Sequence, residues 1–168
     1  MMGSYDVGKA EVCAWIRGNF PQDATVLDVG ACDGKWRRLL AEYPNVDASE
    51  IFEPYARSLQ GLYRRVIQGD IYGFKYKRYD LIIFGDVIEH MPVERAQSVL
   101  EYAWPRCTDM IVAVPFLYKQ EPVGGNPWQR HVQDDLTQEV FAQRYAGLEV
   151  LVDAASDYCY YHKGHDNV

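Results

Sequence analysis

Val26-Leu27-Asp28-Val29-Gly30-Ala31-Cys32-Asp33-Gly34 runs from a short apolar strand into a glycine-bearing turn. The residues behind it, Lys35 to Glu42, carry Trp36, Leu39 and Leu40 at helical spacing. Strand, turn and helix in that order form the repeating unit of a parallel α/β sheet. Gly30 and Gly34 lack the Cβ that would block a tight turn or the close approach of a ligand, and the first turn of the following helix offers unpaired N–H groups. Backbone at this turn can therefore touch a cofactor. The spacing is not Gly-x-Gly-x-x-Gly, because Cys32 holds the middle position, and a nicotinamide-linked oxidoreductase is disfavoured on that ground.

The same alternation extends in both directions. Val7 to Arg17 reads as a helix before the first strand, Thr25 to Val29. Downstream come a strand over Asn45 to Glu50, a short helix from Pro54 to Leu62, a strand over Arg65 to Ile67, and Asp80 to Gly85 as a strand apolar on both faces, hence central. Val93, Ala96, Val99, Leu100 and Ala103 place one apolar stripe on a helix, and Met110 to Val114 forms the fifth strand. Asp134 or Asp135 can cap a helix bearing Leu136, Val140, Phe141 and Tyr145, and Leu148 to Val152 with Tyr158 to His162 make a terminal hairpin. The expectation is a single domain, divided into an N-terminal helix and linker (1–24), a cofactor-binding core (25–115), a substrate-side loop (116–133) and a C-terminal helix with hairpin (134–168).

At 168 residues the chain has room for one domain of roughly 100 to 200 residues. Its 48% hydrophobic and 24% charged residues exclude disorder as a description of the whole. Net charge −7 is the wrong sign for holding nucleic acid or anionic lipid by bulk charge. The apolar run Met110 to Leu117 contains Pro115 and falls far short of the roughly 20 residues of a membrane span, and charged residues interrupt the N-terminus where a secretory signal would be apolar. Cys13, Cys32, Cys107 and Cys159 show no Cys-x-x-Cys spacing, so they read as reduced thiols of a cytoplasmic protein and no metal site is expected.

Acidic residues recur downstream of the glycine turn. Glu50 ends the second strand 20 residues after Gly30, and Asp70 follows the third strand 20 residues after Glu50. In open α/β sheets ligands bind at the carboxyl ends of the strands, where an acid after the second strand can accept from both ribose hydroxyls. Asp70 can likewise accept from an exocyclic amine. One such acid alone is most simply a loop cap; three carboxylates at this spacing weaken that reading.

Together, Asp28-Val-Gly30-Ala-Cys-Asp-Gly34, Glu50, Gly69-Asp70-Ile71 and Phe84-Gly85-Asp86-Val87-Ile88-Glu89-His90 resemble the four cofactor motifs of class I S-adenosylmethionine-dependent methyltransferases. The resemblance covers Thr25 to Pro115, with Cys32 where that family most often has glycine. It implies a doubly wound, Rossmann-like seven-stranded sheet whose last strand is antiparallel, with S-adenosylmethionine as cofactor. It also implies Asp28 and Asp86 near the methionyl part, Gly30, Ala31 and Gly34 flanking the cofactor, Glu50 with Ile51 at the ribose, and Asp70 with Ile71 at the adenine.

Methyl transfer from a sulfonium is a direct displacement, for which positioning supplies much of the rate. A general base is needed where the acceptor arrives protonated, and Glu89, His90 and His131 are the candidates. The long loop Pro115 to His131 resembles the Gly-Asn-x-x-Glu-x-His loop of small bacterial and phage-borne methyltransferases, with Gln129 in place of the acid. Tyr118, Trp128 and Arg130 on it are expected to face substrate, and Gly124-Gly125 to leave it mobile until ligand binds. The acceptor wall comes from this loop, the N-terminal helix or a second subunit, which makes a homodimer a candidate.

Tyr72, Phe74, Lys75, Tyr76, Lys77, Arg78 and Tyr79 interleave basic and aromatic residues as single-strand nucleic-acid binders do, but in so acidic a chain they read as a solvated loop. A small-molecule or protein methyl acceptor is the expected partner, with neither nucleic acid nor membrane. A catalytically silent module that keeps the cofactor pocket, or the bare fold, for a partner is the competing reading.

Overall fold

The computed structural model describes residues 6–74 and 77–164. Among these the elements run α1 (Lys9–Asn19), β1 (Val26–Val29), α2 (Lys35–Leu39), β2 (Val46–Glu50), α3 (Glu53–Ser58), β3 (Arg65–Gln68), β4 (Tyr79–Gly85), α4 (Val93–Ala103), β5 (Cys107–Pro115), α5 (Gln138–Arg144), β6 (Glu149–Ala155) and β7 (Tyr158–Gly164). The strands form one sheet in the order β3-β2-β1-β4-β5-β7-β6. The first five pair in parallel, and β7 runs antiparallel to both β5 and β6. This is the expected seven-stranded, doubly wound α/β sheet, with the last strand inserted between β5 and β6.

The sequence of β4 explains its central place. Its side chains alternate between the two faces: Ile82 and Phe84 join a core with Val99, Leu100 and Phe141, while Leu81 and Ile83 join one with Ile16, Trp36 and Leu40. Neither face meets water, so the strand has no polar positions to spare. The chain leaves β1 toward β2 on one side and returns through β4 on the other, and in open sheets such a reversal of strand order opens a crevice at the carboxyl ends.

Several element boundaries moved for local reasons. The second helix stops at Leu39 rather than Glu42, because the guanidinium groups of Arg17 and Arg37 take the carbonyls of Leu39 and Leu40. The third stops at Ser58, short of Leu62, and Gly61 turns the chain with φ +83°. Thr137 caps α5, its hydroxyl accepting from Val140 N at 3.1 Å. Neither Asp134 nor Asp135 serves there; the carboxylate of Asp135 is instead held by Arg144.

At the amino end of β2 the buried Asp47 accepts from Arg64, Lys77 and the Tyr79 hydroxyl. Burial pushes its pKa up, but these donors outweigh it and hold the carboxyl near 2. Lys77 and Tyr79 of the basic-aromatic stretch are thus absorbed by a structural ion cluster; Lys75 and Tyr76 lie outside the described residues. The four cysteines are free, and no helix among the described residues is long and apolar enough to cross a membrane.

Candidate functional site

The carboxyl ends of the parallel strands open into a cleft of about 490 Å³, within the range of small-molecule sites. Its floor begins at the turn after β1. Gly30 has φ +66°, and a Cβ there would stand 2.7 Å from the Val87 side chain. Its N–H donates to the Ser49 carbonyl at 2.8 Å, which stitches the turn to β2. Cys32 shares the left-handed backbone, with φ 49°, which explains why glycine would be at ease there.

That conformation delivers the Cys32 N–H to Glu50 Oε2 at 3.0 Å, while the Phe52 N–H donates to Oε1 at 2.8 Å. Glu50 is buried, which raises its pKa above the ordinary value, and these backbone donors offset only part of that rise. Glu50 lines the cleft, and its carboxylate keeps acceptor capacity beyond these two bonds.

Ala31, Ile51, Asp70, Ile71 and Asp86 line the same cleft, so most of the sequence-predicted cofactor residues converge. Asp70 is paired with Arg95, a residue the sequence reading missed. Arg95 also donates to the Tyr72 hydroxyl and lies over its ring, 4.7 Å from the centroid. It belongs to α4, whose apolar stripe drew attention to the opposite face. Asp86 sits at φ 57° and accepts from the Tyr158 hydroxyl at 2.7 Å, so the terminal hairpin reaches back to brace the central strand's exit.

Four expected site residues do not line the cleft. Asp28 is buried and accepts from the Tyr63 hydroxyl; burial pushes its pKa up to about 7 against that hydrogen bond. The alternation of β1 turns its side chain into the helix-covered face rather than toward the strand end. Gly34 takes φ +79° just before α2, where a Cβ would meet the Leu62 side chain at 2.5 Å; its role is to start the helix under close packing. Arg130 points outward to an ion pair with Glu121 and forms no part of the wall. Glu89 is fully buried behind the wall.

The other half of the cleft is walled by His90, Tyr118, Trp128 and His131, as expected, and by Gln120, Asn126 and Gln129. Trp128 is 54% exposed, so it is not a core residue. The loop is more firmly tied than its glycines suggest: Val132 and Gln133 donate to the Glu89 carbonyl, and His131 N–H to that of Gln120. The Gln133 side chain adds bonds to the carbonyls of Ile88 and Met91. Burial lowers the pKa of both histidines, His90 to about 4 with His131 contributing, so both rings are neutral near pH 7. Burial, with the charge of Asp86, raises that of Glu89 well above the usual carboxylate range.

No family model and no curated sequence matches this chain. Solved structures do share its architecture. The N-terminal domain of EvdMO1 with SAH bound aligns with a TM-score of 0.66 at 14% identity, over 96% of this chain and 83% of that one. The methyltransferase domain of bacterial CtHen1-CN gives 0.63 at 17% identity, over 93% and 96%. This chain has the class I methyltransferase fold. A TehB-like SAM-dependent methyltransferase from Corynebacterium glutamicum shares that fold too, with a TM-score of 0.65 at 13% identity over 97% of this chain and 90% of that one. At identities this low the likeness lies in the fold and not in shared residues.

Proposed function

We propose that the chain is an S-adenosylmethionine-dependent methyltransferase acting on a small-molecule or protein acceptor. The observation that carries this reading is Glu50: a buried carboxylate, clamped by two backbone N–H groups, on the wall of a cleft beside a glycine turn. A rigid, pre-oriented pair of acceptor oxygens suits a vicinal diol, because the ribose hydroxyls need no rearrangement to donate to it. Asp70 and Ile71 farther along the strand ends suit an adenine amine and ring, with Arg95 yielding part of its hold on Asp70. Asp86 and the backbone of Gly30 and Ala31 suit the methionyl end.

The acceptor then enters from the side of Tyr118 and Trp128, whose exposed rings offer apolar surface. Being neutral, His90 or His131 can take a proton from an acceptor hydroxyl or ammonium as the methyl group leaves sulfur, provided its Nε2 lone pair is free. Glu89, behind them, holds the loop through its backbone carbonyl.

Calorimetric titration with S-adenosylhomocysteine, alongside NADH, tests the reading. Binding of S-adenosylhomocysteine in the micromolar range, on the order of 8 kcal/mol, with none of NADH, is expected. Absence of binding at millimolar ligand would sink it. Methyl-labelled S-adenosylmethionine, offered with separate pools of metabolites and proteins, then identifies the acceptor class; binding without transfer to any pool would favour a silent cofactor-binding module.

A further inference from the structure

Glu89, His90 and His131 form a cluster that proton transfer alone does not explain. Glu89 is fully buried, and neither of its carboxylate oxygens has a hydrogen-bond partner among the described residues. The Nε2 atoms of His90 and His131 lie 3.9 and 4.0 Å from Glu89 Oε1, beyond hydrogen-bonding range. One donor atom from each residue falls within 4.8 Å of the other two.

The tautomers are fixed from outside the cluster. His90 Nδ1 lies 3.1 Å from the Arg130 carbonyl, and His131 Nδ1 lies 2.7 Å from the Tyr118 carbonyl. A carbonyl only accepts, so Nδ1 carries the proton in each neutral ring and the lone pair is left on Nε2. Two Nε2 lone pairs and the unpartnered Glu89 carboxyl therefore lie beside one another. A buried carboxyl without a hydrogen-bond partner is costly, and a cation taking the place of its proton would satisfy it.

We propose that Glu89 Oε1, His90 Nε2 and His131 Nε2 bind a first-row divalent transition-metal cation beside the acceptor half of the cleft. Two imidazoles and one carboxylate suit zinc, cobalt or iron(II) better than calcium or magnesium, which prefer oxygen donors throughout. Small side-chain rotations bring the three atoms to the roughly 2.0–2.2 Å bond lengths such ions take. The Nδ1–H bonds to backbone carbonyls are the outer contacts that orient metal-binding histidines. The loop supports the arrangement from the other side, since Val132 and Gln133 donate to the backbone carbonyl of Glu89 itself.

The cysteine pattern could not reveal this site, because its ligands are separated by 41 positions between His90 and His131 and contain no thiol. His90 and His131 lie on the cleft wall, so a fourth coordination position would be open to whatever occupies the acceptor side. That last step rests on the methyl-transfer reading; the metal site does not.

The test uses the tag-free, full-length chain, stripped with chelator and dialysed. It is titrated with Co²⁺ alone, followed by visible absorption, and with Zn²⁺ alone by calorimetry. One equivalent of each should bind, with Co²⁺ d–d bands of a four- or five-coordinate ion. His90→Ala and His131→Ala should each weaken binding at least tenfold, on the order of the effect of losing even an outer-shell partner. Circular dichroism melting curves on the same samples identify the folded variants, and His90→Ala, at the cleft surface, tests the site without disturbing the buried Glu89. No stoichiometric binding of either ion by the folded chain, or binding unchanged in both variants, overturns the site. S-adenosylhomocysteine binding is measured in parallel: its loss with Co²⁺ binding intact counts against the methyl-transfer reading alone, and the converse against the metal site alone.

Discussion

Replacing Glu50 by glutamine keeps the shape of the side chain while removing its charge and one acceptor oxygen. In the native cleft Oε1 accepts from Phe52 N at 2.8 Å and Oε2 from Cys32 N at 3.0 Å. An amide has one oxygen and one NH2 group, so one of these N–H donors must then face another donor. Leaving one buried donor unsatisfied costs about 1–3 kcal/mol, which in a chain of this size corresponds to a fall in Tm of roughly 2–12 °C. The ligand loses more specifically. A ribose diol donating to a carboxylate makes charge-assisted bonds of roughly 1.5–3 kcal/mol each, so weakening one of them should reduce affinity about 10- to 100-fold. Calorimetry with S-adenosylhomocysteine measures the second effect and thermal denaturation the first. A folded Glu50→Gln protein that binds within threefold of wild type would refute the assignment, and if its Tm still fell, Glu50 would be a clamp for the turn and nothing more.

Gly30→Ala adds a Cβ 2.7 Å from Val87 at a φ of +66°, so it should lower stability by about 1–2 kcal/mol in denaturant melts; an unchanged midpoint would mean the turn relaxes freely. Asp47 is held near pKa 2, below the usual value of 3.8, so its contribution is present above about pH 4 and is lost as pH falls toward 2. The stability advantage of wild type over Asp47→Asn should therefore shrink across that window, by at most about 2 kcal/mol because Arg64 and Lys77 remain partly solvated, and a difference that stays constant with pH would contradict the ion-cluster account. Hydrogen exchange of the free protein should find the amides of His131, Val132 and Gln133 protected by their carbonyl partners; fast exchange at these three would restore the picture of a loop mobile along its whole length.

Much of the fold was legible because its signals are local. β1, β4 and β5 announce themselves as β-branched or apolar runs, and the buried Leu81-Ile82-Ile83-Phe84 of β4 could only be central. The cofactor side of the cleft was legible for a related reason: Gly30, Glu50, Asp70 and Asp86 each stand at or just beyond the end of a strand, and parallel strands bring all such ends to one edge. Strand periodicity and the rule of the sheet edge needed no knowledge of distant contacts.

The tertiary structure decided what depends on direction and on long-range partners. Asp28 and Glu50 are both acids on neighbouring strands, yet one turns under the helices toward Tyr63 and the other reaches the cleft, a difference set by side-chain parity and position along the strand. Arg95 and Tyr158 enter the site from α4 and β7, elements whose sequence patterns speak only of core packing. The pairing of His131 with His90 and Glu89 required the loop after β5 to fold back onto the Glu89 carbonyl. Hydrogen bonds between segments tens of residues apart carry no periodicity in the chain, and only the closed structure brings their donors and acceptors together.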